Sequence, residues 1–198
     1  MDTITYQIGR GVYINLTNKC SNDCTFCERN RISGVSGYYL WLGKEPTAAE
    51  IIESLKGYDT QEFDEVVFCG FGEPTYKWEV IKEVATYAHS LNKITRINTN
   101  GQGNLINGYD ITQELADYID KVNISLNNGS SKRYQEDCLS IYGEQAFYEL
   151  QDFAKKCLQR GVDTTMSVVD CISKEEIAQA EQIAKAIGSK FRIREEIK

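Results

Sequence analysis

Histidine occurs once in this chain, at His89, and proline only twice, at Pro46 and Pro74. A lone imidazole argues against zinc sites of the Cys-and-His kind. Both prolines stand just before helical segments, and no low-complexity tract, charge run or linker interrupts the sequence. The 198 residues, 1–198, therefore read as one domain. Long apolar runs are missing too. No stretch approaches the roughly 18 consecutive apolar residues of a membrane span, which predicts no membrane association. The opening Asp2-Thr3-Ile4-Thr5-Tyr6 lacks the basic start and apolar run of a signal peptide, so the expected location is cytoplasmic. Basic residues are outnumbered, 22 to 29, and the net charge of −7 argues against bulk nucleic-acid binding. Hydrophobic residues at 41% and charged residues at 26% are ordinary globular values, enough for a core without disulfide staples.

Cysteine, by contrast, is plentiful and uneven. Seven is an odd number, so not all can pair within the chain. Three of them, Cys20, Cys24 and Cys27, fall within eight residues, whereas Cys69, Cys138, Cys157 and Cys171 are scattered singly and read as core or surface thiols.

Short β-branched and aromatic runs alternate with helical segments. Strands are expected at Gly11 to Thr17, Glu65 to Cys69, Ile94 to Asn98, Val122 to Leu126, Thr164 to Val169 and Phe191 to Ile193. Helices are expected at Thr47 to Lys56, Lys77 to Leu91, Asp110 to Ile119, Ala146 to Leu158 and Glu175 to Ile187. Thr47 with Glu50, Asp110 with Gln113 and Ser173 with Glu176 have capping-box spacing. Ile177, Ala180, Ala184 and Ile187 repeat at helical period, as a face packed on a sheet requires. The alternation predicts an α/β fold with parallel strands, a partial (βα)6 TIM-like barrel, because a closed eight-stranded barrel needs roughly 250 residues. Gly- and Asn-rich connections at 18–46, 70–76 and 98–109 then open at the C-terminal edge of the strands, where ligands bind in such folds.

The triplet Cys20-x3-Cys24-x2-Cys27 sits in the longest of these connections. Thiolates suit soft metals, and three at this spacing can wrap one cluster while leaving a metal position open. A zinc hook or a chance group of buried thiols are the plainer readings. Ser125 and Asn127 alternate with Ile124 and Leu126, so both polar groups fall on one face. Arg29 and Arg31, just past the triplet, are candidates to clamp a carboxylate or phosphate, or else are solvated loop charges.

The Cys-x3-Cys-x-aromatic-Cys pattern after a first strand resembles the radical SAM superfamily. The resemblance implies a [4Fe–4S] cluster on Cys20, Cys24 and Cys27, with S-adenosylmethionine chelating the remaining iron. It places Phe26 against the adenine. Gly70-Phe71-Gly72-Glu73-Pro74 is similar to the family's Gly-Gly-Glu-Pro motif, with Gly72 and Glu73 the matching pair at the methionyl amino group. Asn98-Thr99-Asn100-Gly101 is similar to a Thr-Asn-Gly turn facing substrate, which singles out Thr99 and Asn100. Ile124-Ser125-Leu126-Asn127 is similar to Ser-Leu-Asp, whose polar groups meet the methionine carboxylate and ribose; here Asn127 stands where the motif has Asp, without its charge. More narrowly, Tyr13 to Asn18, Phe68 to Thr75 and Asn100 to Gly108 resemble the TatD-associated radical SAM proteins.

The implied function is reductive cleavage of S-adenosylmethionine to a 5′-deoxyadenosyl radical that abstracts hydrogen from a substrate, with flavodoxin or ferredoxin as electron donor. The amides at Asn98, Asn100, Gln102, Asn104 and Asn107 lead us to expect a polar substrate. Two other enzymes share the cofactor: a glycyl-radical-type activase and a small-molecule enzyme resembling 7-carboxy-7-deazaguanine synthase. A non-catalytic iron–sulfur or metal-binding module is the alternative of another class.

Overall fold

The computed structural model describes residues 2–30 and 34–196. Strand β1 (Thr5–Ile8) turns back antiparallel onto β2 (Gly11–Asn15). A small ribbon, β3 (Gly34–Val35) and β4 (Tyr38–Tyr39), precedes helix α1 (Ala48–Leu55). Then follow β5 (Glu65–Cys69), α2 (Trp78–Ser90), β6 (Ile94–Thr99), α3 (Gly103–Asn107), α4 (Thr112–Leu115) and β7 (Lys121–Ser125). The chain continues through α5 (Ser131–Cys138), α6 (Gln145–Gln159), β8 (Asp163–Val169), α7 (Lys174–Ile187) and β9 (Lys190–Arg194). The sheet order is β1-β2-β5-β6-β7-β8-β9, and every pair from β2 onward is parallel. It is an open, partial barrel.

Period-two burial explains the two faces of this sheet. Ile14 is in register with Phe68, Phe68 with Ile97, and Ile97 with Val122. All four are fully buried and belong to the main core, together with Ile81, Val84, Leu150, Phe153, Ala180 and Ala184 from the helices. The helices therefore cover one face. On the other, inner face the β1–β2 end carries an aromatic cluster of Tyr6, Leu40 and Phe71 with Tyr13 and Trp41. From β6 to β9 that face is polar: Arg96, Asn98, Asn123, Ser125, Thr165, Ser167, Arg192 and Arg194 alternate with the core residues.

The capping boxes at Thr47–Glu50 and Ser173–Glu176 form as expected, and Ile177 and Ile187 flank the buried Ala180 and Ala184 on the core side of α7. The third expected box does not form. Asp110 Oδ1 instead accepts from Thr112 N and Oγ1, at 3.1 and 2.5 Å, and the helix expected over Asp110 to Ile119 shortens to the single turn of α4. Three elements escape the periodicity. The strand β1 is paired only on one side, α3 lies inside the Gly/Asn connection, and α5 is almost wholly polar, with only Tyr134 and Cys138 buried. No helix among the described residues is long and apolar enough to cross a membrane.

Ile97 sits in a strand paired on both sides, with no exposed surface. Ile97→Ala should lower the unfolding free energy in urea by about 2–5 kcal/mol, the cost of lost burial plus a cavity. Ser173→Ala, which removes one cap, should cost about 1 kcal/mol in the same measurement.

Candidate active site

Four connections rise from the C-terminal edge of β2, β5, β6 and β7, and close packing holds the first two together. A Cβ on Gly72 would lie 2.3 Å from Thr17 O and 2.5 Å from Lys19 O, so only glycine lets the β5 connection rest on the cysteine loop. Glu73 N donates to Lys19 O at 2.8 Å along the same seam. Gly70, at φ +128°, meets Asn15 just as closely. From the other side Asn18 grips the backbone of Leu42 with both ends of its amide, at 2.8 and 3.1 Å.

Glu73 ties this pair of loops to the third. Its carboxylate is buried and accepts from Thr75 N (3.1 Å), Thr75 Oγ1 (2.7 Å), Thr99 Oγ1 (2.7 Å) and Asn100 N (2.7 Å). Burial pushes its pKa up while these donors pull it down, and the balance is upward. Asn100 Nδ2 donates to Ser21 Oγ at 2.8 Å, and its Oδ1 accepts from Gln102 N at 3.0 Å. Gln102 Nε2 in turn reaches Asn22 Oδ1 (2.8 Å) and Tyr134 OH (2.9 Å). The amides of the 98–109 connection were expected to face a substrate. Most are committed to this buried network instead: Asn104 Oδ1 accepts from Ile111 N, and Asn107 Nδ2 donates to Thr75 O and Gly103 O. Thr99 and Asn100 lie in it as well.

Ser125 and Asn127 are brought together by a residue that no sequence motif marks. Arg194, the last residue of β9, reaches across β8, and its Nη2 lies 3.4 Å from Ser125 Oγ and 3.1 Å from Asn127 Oδ1. Asn127 is itself held in the left-handed region, φ +62°. Burial pulls the Arg194 pKa below its ordinary value. The inner face holds a second polar group, in which Arg96 pairs with Glu65 at 2.6 Å and donates to Asn98 Oδ1 at 2.8 Å. Asn98 Oδ1 also accepts from Asn123 Nδ2 at 3.2 Å, and Asn98 Nδ2 points to Cys69 Sγ at 3.4 Å. Strand alternation was the signal for Arg96, Asn98 and Asn123, since each shares a face with Ser125.

The three loop thiols are free and half-buried. Burial, and then the charge of Glu73, push Cys20 up to about 12, and burial raises Cys27. The Cys24 thiol is raised by its contact with the buried Cys138 and by burial. Among the described residues no three His, Cys, Asp or Glu side chains are drawn together as ligands. The donor set nevertheless fits an iron–sulfur cluster. It consists of soft thiols, Asn22 N donates to Cys20 Sγ at 3.4 Å, a kind of bond that tunes a cluster sulfur, and His89 is occupied far off with Thr95 and Asp120. Phe26 packs at the edge of the core beside them. Arg29 folds back onto the loop, with Nη2 at 3.3 Å from Asn22 O and 3.0 Å from Asp23 Oδ1; Arg31 lies outside the described residues.

A family profile described as the Radical SAM superfamily matches residues 14–187. Nothing among curated protein sequences matches the chain. Among solved structures, SuiB of Streptococcus suis bound to S-adenosylmethionine superposes with a TM-score of 0.73 at 18% identity, over 96% of this chain and 41% of SuiB. SuiB is also seen bound to precursor peptide SuiA. A radical SAM methyltransferase from Sphaerobacter thermophilus gives 0.64 at 14% identity, over 96% of this chain and 68% of the other. The protein anSMEcpe with bound AdoMet gives 0.69 at 16% identity, over 93% and 51%. The chain thus spans about two fifths of SuiB and about half of anSMEcpe.

Glu73→Gln should lower the unfolding free energy by about 2–3 kcal/mol, because a neutral amide turns one acceptor into a donor facing Asn100 N–H or Thr75 N–H. Thr99→Val should cost about 1 kcal/mol. Urea unfolding of the metal-free protein reads both. A Glu73→Gln value near zero would show that the carboxylate does not brace the loops.

Proposed function

Because the chain belongs to the radical SAM superfamily, we propose that it is a radical SAM enzyme with a [4Fe–4S] cluster held by Cys20, Cys24 and Cys27. When bound, the cluster would supply one electron, taken from a donor such as flavodoxin or ferredoxin, for reductive cleavage of S-adenosylmethionine and hydrogen abstraction from an unidentified substrate. The observation that carries this reading is the convergence of four loops on one sheet edge, fixed by the Gly72 seam, Glu73 and Arg194.

The chain's own residues have separate parts in this scheme. Gly72 and the backbone of Glu73 set the rim at the methionyl group, and Phe26 gives the adenine an apolar side. Ser125 and Asn127 hold the remaining polar groups of S-adenosylmethionine. Thr99 and Asn100 serve the substrate side by fixing the wall between Glu73 and Ser21. The aromatic cluster around Tyr6 and Phe71 keeps water from that end of the inner face, which protects a reactive radical. The narrower likeness to the TatD-associated proteins rests on the three sequence stretches that carry it.

Anaerobic reconstitution should give about four irons and four sulfides per chain. Cys20→Ala, Cys24→Ala and Cys27→Ala should each abolish the cluster, and Cys157→Ala, in the core between helix and sheet, should retain it. The reduced, reconstituted protein should turn S-adenosylmethionine slowly into 5′-deoxyadenosine, measured by chromatography. An intact, reducible cluster that yields none would make the protein an electron-transfer module, and zinc without sulfide would remove the cluster altogether.

A further inference from the structure

Most amides near the mouth are saturated by the loop network, but one row of polar side chains on the inner face is not. Asn98 is in register with Asn123, and Asn123 with Thr165, so the three stand side by side across β6, β7 and β8. All three are half-buried, and Cys69 continues the row on β5, its Sγ 3.4 Å from Asn98 Nδ2. None of the four has a part in holding the cluster or S-adenosylmethionine. Asn123 stands two residues before Ser125 on the same face, about 7 Å deeper along the strand.

The orientation of the two amides follows from an arginine. A guanidinium donates and never accepts, so Arg96 Nη1, at 2.8 Å, must meet the oxygen of Asn98 and not its nitrogen. That oxygen takes a second bond, from Asn123 Nδ2 at 3.2 Å, which turns Asn123 Oδ1 away from Asn98. Asn123 Oδ1 has no partner among the described residues, nor has the neighbouring Thr165 hydroxyl, and neither is sealed from solvent. Nearby charge is already compensated. Arg96 places Nε and Nη2 on Glu65 at 3.2 and 2.6 Å, and Lys190, beside Thr165 on β9, is held by Asp163 at 2.7 Å. Lys121 stands at the first position of β7, at the end of the strand away from the mouth. The open part of the row therefore offers an oxygen that only accepts beside a hydroxyl that also donates. Asn123 Oδ1 would repel an oxyanion. Neighbouring strands are about 4.8 Å apart, so both groups meet one edge of a ligand. An uncharged amide whose N–H and C=O share an edge answers both, with N–H on Asn123 Oδ1 and C=O on the Thr165 hydroxyl.

We propose that Asn123 and Thr165, oriented by Asn98 and Arg96, form the substrate subsite of the inner face and bind an uncharged amide edge. The substrate class is thus a molecule bearing a primary carboxamide or a lactam, held deeper in the sheet than Ser125. Calling the ligand a substrate rests on the radical SAM reading; the amide subsite itself does not depend on it.

The test is saturation-transfer NMR of the reconstituted protein with acetamide and 2-pyrrolidinone as probes, with and without saturating S-adenosylmethionine. Acetate, ethylene glycol and N-methylacetamide, whose N–H and C=O point opposite ways, are the comparison probes. Acetamide, 2-pyrrolidinone or both should bind saturably, and the comparison probes about tenfold more weakly. The tighter of the first two tells a carboxamide from a lactam. Thr165→Val, which keeps the shape and removes the hydroxyl, and Asn123→Leu should each weaken the bound probe about tenfold. Circular dichroism establishes which variants are folded, and either folded variant decides. No binding of acetamide or 2-pyrrolidinone, or unchanged affinity in a folded variant, overturns the site. Equal binding of any comparison probe overturns the amide class. Displacement of the probe by S-adenosylmethionine gives the row to the cofactor and overturns the substrate assignment. Failure of the enzyme reading is seen separately, as absence of 5′-deoxyadenosine from reduced wild-type protein.

Discussion

A single buried carboxylate organises the mouth of this protein. Glu73 sits where three chain segments meet, and its oxygens accept hydrogen bonds from Thr75, Thr99 and the Asn100 backbone. Each of those donors would otherwise be an unsatisfied group at a sheet edge, and the carboxylate would otherwise be an unpaired charge away from water. The arrangement is stable only when complete. Loops without regular structure thereby acquire a fixed geometry, the 20–27 loop among them.

The division of labour between the faces of the sheet follows from the same economy of polar groups. Aliphatic residues fill the side under the helices, where no water reaches. The inner face of an open barrel is not sealed, so Arg96, Asn98 and Asn123 can stay partly wet while bonding to one another. Closing the barrel would bury that network. Leaving it open keeps a polar floor, with β1 and β9 each paired on one side only among the described residues.

Much of this was legible in the residues. Parallel strands at 11–15, 65–69, 94–99, 121–125, 163–169 and 190–194 match the expected alternation, because period-two and period-3.6 burial leave strong marks on a buried sheet and its covering helices. Two of the three capping boxes formed for the same local reason. What was not legible depends on long-range geometry. The polar α5 shows no apolar stripe, and β1 is a strand because β2 is beside it. The partners of the amides at Asn100 and Gln102 are Ser21, Asn22 and Tyr134, at separations of 32 to 80 residues, which no local pattern announces. The contact of Arg194 with Asn127 was not legible because Arg194 lies beyond every recognisable motif, and only the curl of the sheet carries it over β8.

The last strand has one more consequence. Among the described residues β9 is paired on one side only, by β8, and an unpaired strand edge offers backbone donors and acceptors to an extended chain. Lys190, Arg192 and Arg194 put a positive charge at every second position of β9, with Phe191 and Ile193 between them. Two neighbouring copies joined along this edge would bring like charges together. Positive charge on such an edge opposes its pairing with a second copy, and Ile193, 51% accessible, is the apolar residue that it offsets.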